Sequence, residues 1–365
     1  MNTHPATILI LILTLLCGAG QACAEIPVAS APDADRDAKL YRSPSERRES
    51  GLHREVTEWL SISGLAEVET EHQDFDYTGN KSDESDAVTT KTLQLGMEFT
   101  FPGHIAAELV FEYELDSDHS LLDEGILLYE GELLGIEAGR LYIPFGEYYS
   151  HFVTGPVLEF GETRGNALII DTALTDNIDV YAYGVEGESE KADESGGRFD
   201  WGGGFEFASE DESVKLSAGY FSDMADTDEQ FLEDFDNMYQ RRVDGLNAHA
   251  LIGGDKYEIT AEYLGALRSF AELDDNEDRP WAANLEVAWF PLHNIMLAAR
   301  VEASDEVPDA PALQYGVSAT WLIASRINIA VDYLHGKFEN DFVFDDDDNE
   351  IDSRHLVAAQ LSIAF

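Results

Sequence analysis

In "SRHLVAAQLSIAF", residues 353–365, His355, Val357, Ala359, Leu361, Ile363 and Phe365 fall on one side of an extended chain. A period of two marks a β-strand whose two faces meet different surroundings. The run ends on Phe365. A last amphipathic strand closing on an aromatic residue is the pattern that the barrel-assembly machinery of the bacterial outer membrane reads. The stretch therefore predicts a membrane-spanning barrel. A soluble sandwich would also alternate, so the rest of the chain has to separate the two.

The same alternation recurs in blocks of about ten residues. In "TKTLQLGMEFTF" Leu93, Leu95, Met97, Phe99 and Phe101 share a face; in "HIAAELVFEYEL" Ile105, Ala107, Leu109, Phe111, Tyr113 and Leu115 do. In "PWAANLEVAWF" the aromatic residues Trp281 and Trp289 close the two ends of one apolar face. At about 3.3 Å per residue and roughly 40° of tilt they stand on the order of 20 Å apart, near the height of a barrel's apolar band. They read as girdle positions, as do Tyr315 and Trp321.

Sixteen strands are predicted, at about 59–71, 88–101, 104–116, 122–130, 134–142, 167–173, 177–185, 198–207, 213–222, 243–252, 256–265, 281–290, 294–303, 312–323, 326–337 and 353–365. Connections after even-numbered strands are short, such as Pro102-Gly103, "GDK" and "PLH"; those after odd-numbered strands are mostly long and acidic. This parity predicts an all-β, antiparallel transmembrane barrel with short periplasmic turns and long outer loops. A sandwich gives no such parity.

The ends of the chain and its charge set further bounds. Residues 1–24 carry an apolar run from Ala6 to Leu16 and close on Ala22-Cys23-Ala24, the pattern of a secretory signal cut before Glu25. Cys17 and Cys23 leave with it, so the mature chain is expected to form no disulfide or zinc-thiolate site. Residues 25–57 read as a periplasmic tail or linker with one short helix at most, and 58–365 as the barrel. The 73 acidic against 22 basic residues give a net charge of -51, which argues against a nucleic-acid partner.

With the apolar faces turned to lipid, the opposite faces line a lumen. Glu108, Glu112 and Glu114 fall there, as do Glu258, Glu262 and Glu286. Rings of carboxylates favour cations; the plainer alternative is that they keep the channel wet. The run Asp345, Asp346, Asp347 and Asp348 offers oxygen ligands to divalent ions, or a bridge to lipopolysaccharide phosphate, without the spacing of an EF-hand. The histidines are scattered, HExxH and GxSxG are absent, and no enzyme activity or cofactor is expected.

Four stretches carry a family likeness. "LSISGLAEVETEHQDFD" (60–76), "LLDEGILLY" (121–129), "AGRLYIPFGEY" (138–148) and "LEFGETRGNAL" (158–168) together resemble the LbtU-family siderophore porins. The resemblance implies a plugless outer-membrane barrel of a Gram-negative bacterium that admits ferric siderophore without TonB. By position it highlights Glu67, Glu69, Asp123, Glu124, Gly125, Gly139, Arg140, Pro144, Phe145, Gly146, Glu159, Gly161, Glu162, Thr163 and Arg164. The chain after the tail suffices for sixteen strands but not for a plug and a wider barrel. The alternatives are a general cation-preferring porin, or a structural or adhesive barrel whose acidic loops bind divalent ions. Partners expected are membrane lipid, lipopolysaccharide and the assembly machinery, with the oligomeric state open.

Residues 138–165 then become the third outer loop, expected to fold back into the lumen. Pro144 and Gly146 would turn the chain, and Tyr148, Tyr149, Phe152 and Phe160 would pack it. Glu147, Glu159 and Glu162, opposed by Arg164, are the expected charges of a constriction. Arg140 shares parity with Leu134, Ile136 and Ala138, which places it at the lipid rim unless a bulge intervenes and turns it to the pore.

Overall fold

The computed structural model describes residues 54–78, 84–114, 119–187, 198–227, 241–273, 278–324, 326–339 and 350–365. Expectations for the signal, most of the tail and Asp345–Asp348 fall outside them. The strands are β1 (Arg54–Thr57), β2 (Leu60–Tyr77), β3 (Glu84–Phe101), β4 (Ile105–Glu114), β5 (His119–Glu130), β6 (Gly135–Tyr142), β7 (Arg164–Thr175), β8 (Ile178–Gly187), β9 (Arg198–Ala208), β10 (Val214–Phe221), β11 (Gly245–Gly253), β12 (Tyr257–Ala266), β13 (Trp281–Leu292), β14 (Ile295–Asp305), β15 (Leu313–Ala324), β16 (Ile327–Lys337) and β17 (Ile351–Ala364).

Strands β2–β17 pair antiparallel in chain order, and β17 returns to pair with β2, from Ile351↔Tyr77 to Ala364↔Leu65. The result is a closed barrel of sixteen strands, without the open edges that a flat sheet exposes. Closure is sealed where the chain ends: Gly64 N donates to Phe365 O at 2.6 Å and Phe365 N to Gly64 O at 2.8 Å.

Period-two patterning explains both faces. Leu168, Ile170, Leu285, Val287, Val301 and Leu361 point outward and stay exposed, whereas their neighbours Ala167, Ile169 and Ala358 are buried inside. Trp281 and Trp289 take the outward face near opposite ends of β13, and Trp321 that of β15. No described helix is long and apolar enough to cross a membrane, so the strands alone provide the apolar surface.

Three expectations change. The first outer loop is mostly strand, because β2 runs to Tyr77 and β3 starts at Glu84. Arg54–Thr57, expected in the tail, forms a short strand paired with the start of β2. And β7 begins at Arg164, three residues earlier than the alternation of Leu168 and Ile170 alone suggested.

Candidate functional site

Residues 143–163, between β6 and β7, do not stay on the rim. Their entry is set by two local devices. Glu124 lies opposite Val110 and Leu122 opposite Phe111, which leaves Asp123 as the extra residue of a bulge in β5. Beside it Gly139 has φ +144, and a Cβ there would run into the Gly125 carbonyl. Only glycine allows β6 to follow the bulged strand so closely. The chain then turns inward at Gly146, φ +108, where the Tyr148 hydroxyl donates to Phe145 O.

Apolar packing fixes the loop at two points. Phe145, Leu158 and Phe160 bury against Phe221, Leu264 and Phe270 in the larger interior cluster. Phe152 packs against Met296, Leu334 and Leu356 on the inner face of β14–β17.

Between these points the loop presents backbone N–H groups to a line of wall carboxylates. Glu262 accepts from the N–H of Glu147 at 2.7 Å and of Tyr148 at 3.1 Å. Glu286 accepts from the N–H of His151 and the hydroxyl of Ser150, both at 2.7 Å. Asp332 accepts from Val153 N at 2.5 Å and Thr154 N at 3.2 Å, and Glu302 from Val157 N at 2.8 Å. Charge-assisted bonds of this kind are the stronger class, and each leaves a costly buried donor if removed.

His151 sits at the centre. Its Nδ1 lies 2.5 Å from Glu286 Oε1 and its Nε2 3.1 Å from Glu258 Oε1, while the Tyr149 hydroxyl also donates to Glu258. Burial alone would lower the imidazole pKa, but the hydrogen bonds to Glu258 and Glu286 outweigh it and raise the value to about 9. The ring is therefore a cation at neutral pH. Arg300, fully buried, adds a second: it pairs with Glu302 at 3.0 Å, donates to Thr154 O at 2.9 Å and lies 4.4 Å over the Phe152 ring.

These contacts change the expected roles. Glu258, Glu262 and Glu286 do face inward, but they are 5%, 4% and 0% exposed, sealed beneath the loop instead of lining open lumen. Glu108 and Glu112 remain half-buried on the inner face of β4, with Glu112 accepting from Gln94 at 2.7 Å. Glu114 pairs with Thr92 in the strand ladder, and its side chain lies outside the described residues. Glu67 and Glu69 face inward on β2, where Gln360 donates to Glu69 at 3.2 Å.

On the loop itself Glu147 and Glu159 are exposed and Glu162 is half-buried. Glu147 accepts from Ser217 at 2.9 Å; desolvation first, and then the carboxylates of Glu162, Glu302 and Glu69, raise the Glu159 pKa to about 8 against the opposing guanidinium of Arg300. Thr163 is buried, its hydroxyl on Gly161 O, and Pro144 O accepts from Tyr181.

Arg164 corrects the expected pairing of opposed charges. In β7 it shares parity with the outward residues Leu168 and Ile170, and it reaches across to Asp123 and, at 3.2 Å, to the Tyr142 hydroxyl. It therefore braces the outer end of β5–β7 and leaves the loop's carboxylates without it. Arg140, opposite Gly125 and Asn166, takes the same outward face. Sequence reasoning missed His151, Ser150, Arg300, Glu302 and Asp332. The wall residues among them all occupy inward positions of strands already recognised, which was the available signal.

No family model matches the chain. A UPF0422 protein of Coxiella burnetii is 33% identical over 146 residues, 38% of this chain and 31% of that protein. A UPF0422 protein of Legionella pneumophila is 27% identical over 177 residues, 41% and 32% respectively. The matched region thus spans about a third of each curated relative. Among solved structures, Salmonella typhi OmpF in complex with daunomycin aligns over 84% of this chain and 97% of its own, with TM-score 0.57 and 13% identity. The Acinetobacter baumannii outer-membrane channel DcaP aligns over 84% and 98%, with TM-score 0.57 and 14% identity. At that identity the likeness is one of fold: a sixteen-stranded, porin-like barrel.

Proposed function

We propose that the chain is a plugless outer-membrane channel whose third outer loop narrows the lumen and whose remaining open wall selects for cations. The observation that carries this is the docking of residues 143–163 inside the barrel on the carboxylates of β12, β13, β14 and β16. With those four acids used as anchors, the charged surface left to a passing solute combines Glu67, Glu69, Glu108 and Glu112 of the wall with Glu147 and Glu162 of the loop. Of the inward guanidinium groups, Arg300 is buried on Glu302, and Arg354 donates to Gln314 and lies over the Phe338 ring. Such a passage stabilises cations and disfavours anions.

Planar-bilayer recording of the refolded protein under a KCl gradient tests the proposal. Stepwise openings with a reversal potential on the potassium side are expected; no steps, or a reversal favouring chloride, would overturn it.

The finer reading is that the channel takes up ferric siderophore independently of TonB. It is supported by the four family-like stretches, which fall in β2, β5, β6, the third loop and the start of β7. Uptake of radiolabelled ferric complexes in a deletion strain, complemented or not and with or without a protonophore, tests it. Uptake that follows the gene and survives the protonophore is expected.

A further inference from the structure

At the outer ends of β9 and β10 three aspartates come together that conduction does not use. Asp200 is an inward residue of β9, between the exposed Phe199 and Trp201. Asp223 and Asp226 belong to the 3-10 turn that follows β10, with Asp223 as its cap. One carboxylate oxygen of each lies within 4.8 Å of the others, and Asp200 and Asp223 are both 0% exposed.

Hydrogen bonding accounts for only part of this cluster. Asp200 Oδ1 takes Arg242 Nε at 2.8 Å and Ser222 Oγ at 3.3 Å. Asp223 Oδ1 accepts from Ala225 N at 3.2 Å and Val243 N at 3.4 Å, and its Oδ2 stands 4.0 Å from Arg242. Asp200 Oδ2, by contrast, is buried and receives no donor. Its neighbour is another carboxylate, Asp226, a contact that two ionised groups cannot make without something positive between them.

These oxygens press against a glycine. A Cβ on Gly187, the last residue of β8, would lie 2.6 Å from Asp200 Oδ2 and closer still to Asp226 Oδ2. The donors are all oxygen, the ligand type of hard divalent cations.

We propose that Asp200, Asp223 and Asp226 form a binding site for one hard divalent cation, calcium, which ties β9 to the loop between β10 and β11 at the outer rim. Asp200 Oδ2 is the central ligand, with one oxygen each from Asp223 and Asp226. Arg242 covers the other side of Asp200.

Terbium luminescence of the refolded full-length barrel in detergent, sensitised by Trp201, is the direct test. A saturable terbium signal displaced by calcium chloride is expected, weakened at least tenfold in Asp226→Asn and unchanged in Asp211→Asn, an exposed aspartate outside the cluster. Calcium should also raise the melting temperature of the wild type above that in chelator, and Asp200→Asn should lose this shift. Titrations that coincide for wild type and Asp226→Asn would overturn the site. So would a wild type that melts alike in calcium and chelator, the behaviour expected if a proton alone joins the two carboxylates. Should Asp226→Asn fail to fold, judged by heat-modifiable gel mobility, the wild-type melting comparison decides.

Discussion

His151 Nδ1 lies 2.5 Å from Glu286 Oε1, joining the tip of the third outer loop to the inner wall of β13 across 135 residues of sequence. Its other nitrogen meets Glu258 on β12, so one imidazolium holds two strands and the loop together. The raised pKa of about 9 sets the sign of the pH dependence. A group raised above its unfolded value near 6.5 contributes stability that is whole below about that pH and is lost as pH rises through about 9. The loop is therefore expected to loosen between about pH 8 and 10, with noisier single-channel current. His151→Gln should be noisy already at pH 7 and show no further step in that window. A wild-type trace unchanged up to pH 10.5 would remove His151 from the docking.

Asp332 gives a second handle on the same docking without a titrating imidazole. It receives the N–H groups of Val153 and Thr154, and Asp332→Leu would strip both donors in a buried setting. Each orphaned donor costs on the order of 1–3 kcal/mol, enough to release this part of the loop. Larger mean conductance with frequent partial closures is expected, while Asp332→Asn, which keeps an acceptor oxygen, should lie between it and wild type. Conductance identical in all three would mean that Phe152 and the arginine beside it suffice.

Charge selectivity separates exposed acids from anchoring ones. On the loop Glu159 is exposed and Glu162 half-buried, whereas Arg164 is engaged with Asp123 on the outward side. The double substitution Glu159→Gln/Glu162→Gln is expected to lower the potassium-to-chloride permeability ratio severalfold. Arg164→Gln should leave that ratio in place and instead reduce the thermal stability of the barrel. A reversal potential that moves as much for Arg164→Gln as for the double variant would place this arginine back at the constriction. The ratio is read from zero-current potentials.

How much of this lay in the sequence follows from the range of each interaction. Barrel strands were legible because lipid on one side and lumen on the other impose a period of two on every strand, as Leu285-Glu286-Val287 displays. Inward placement of Glu258, Glu262 and Glu286 followed from the same period. Their partners did not. Docking of the loop pairs Val157 with Glu302 and Val153 with Asp332, contacts 145 and 179 residues apart that no local pattern encodes. The role of Arg164 failed for a smaller reason: β7 starts at that residue, so its side chain inherits the parity of Leu168 and turns outward. The bulge at Asp123, which brings the carboxylate under Arg164, leaves no signature beyond a glycine at 125.

Closure of the barrel rests on a steric match at its seam. The Phe365 ring lies over Gly64, where a Cβ would stand 2.5 Å from the ring, while the two backbones exchange hydrogen bonds. Any larger residue at 64 must therefore displace the ring or part the first pair of the β17–β2 ladder. Gly64→Val is expected to lower the yield of the compact, heat-modifiable band on refolding into detergent micelles, where no assembly machinery acts. Phe365→Ala should refold nearly as well as wild type there, since the ring is 46% exposed and the backbone pairing survives. Combining the two should restore much of the yield lost by Gly64→Val, because the clash then has no second party. If the double variant refolds no better than Gly64→Val alone, the glycine serves the strand's path and not its fit to the terminal ring.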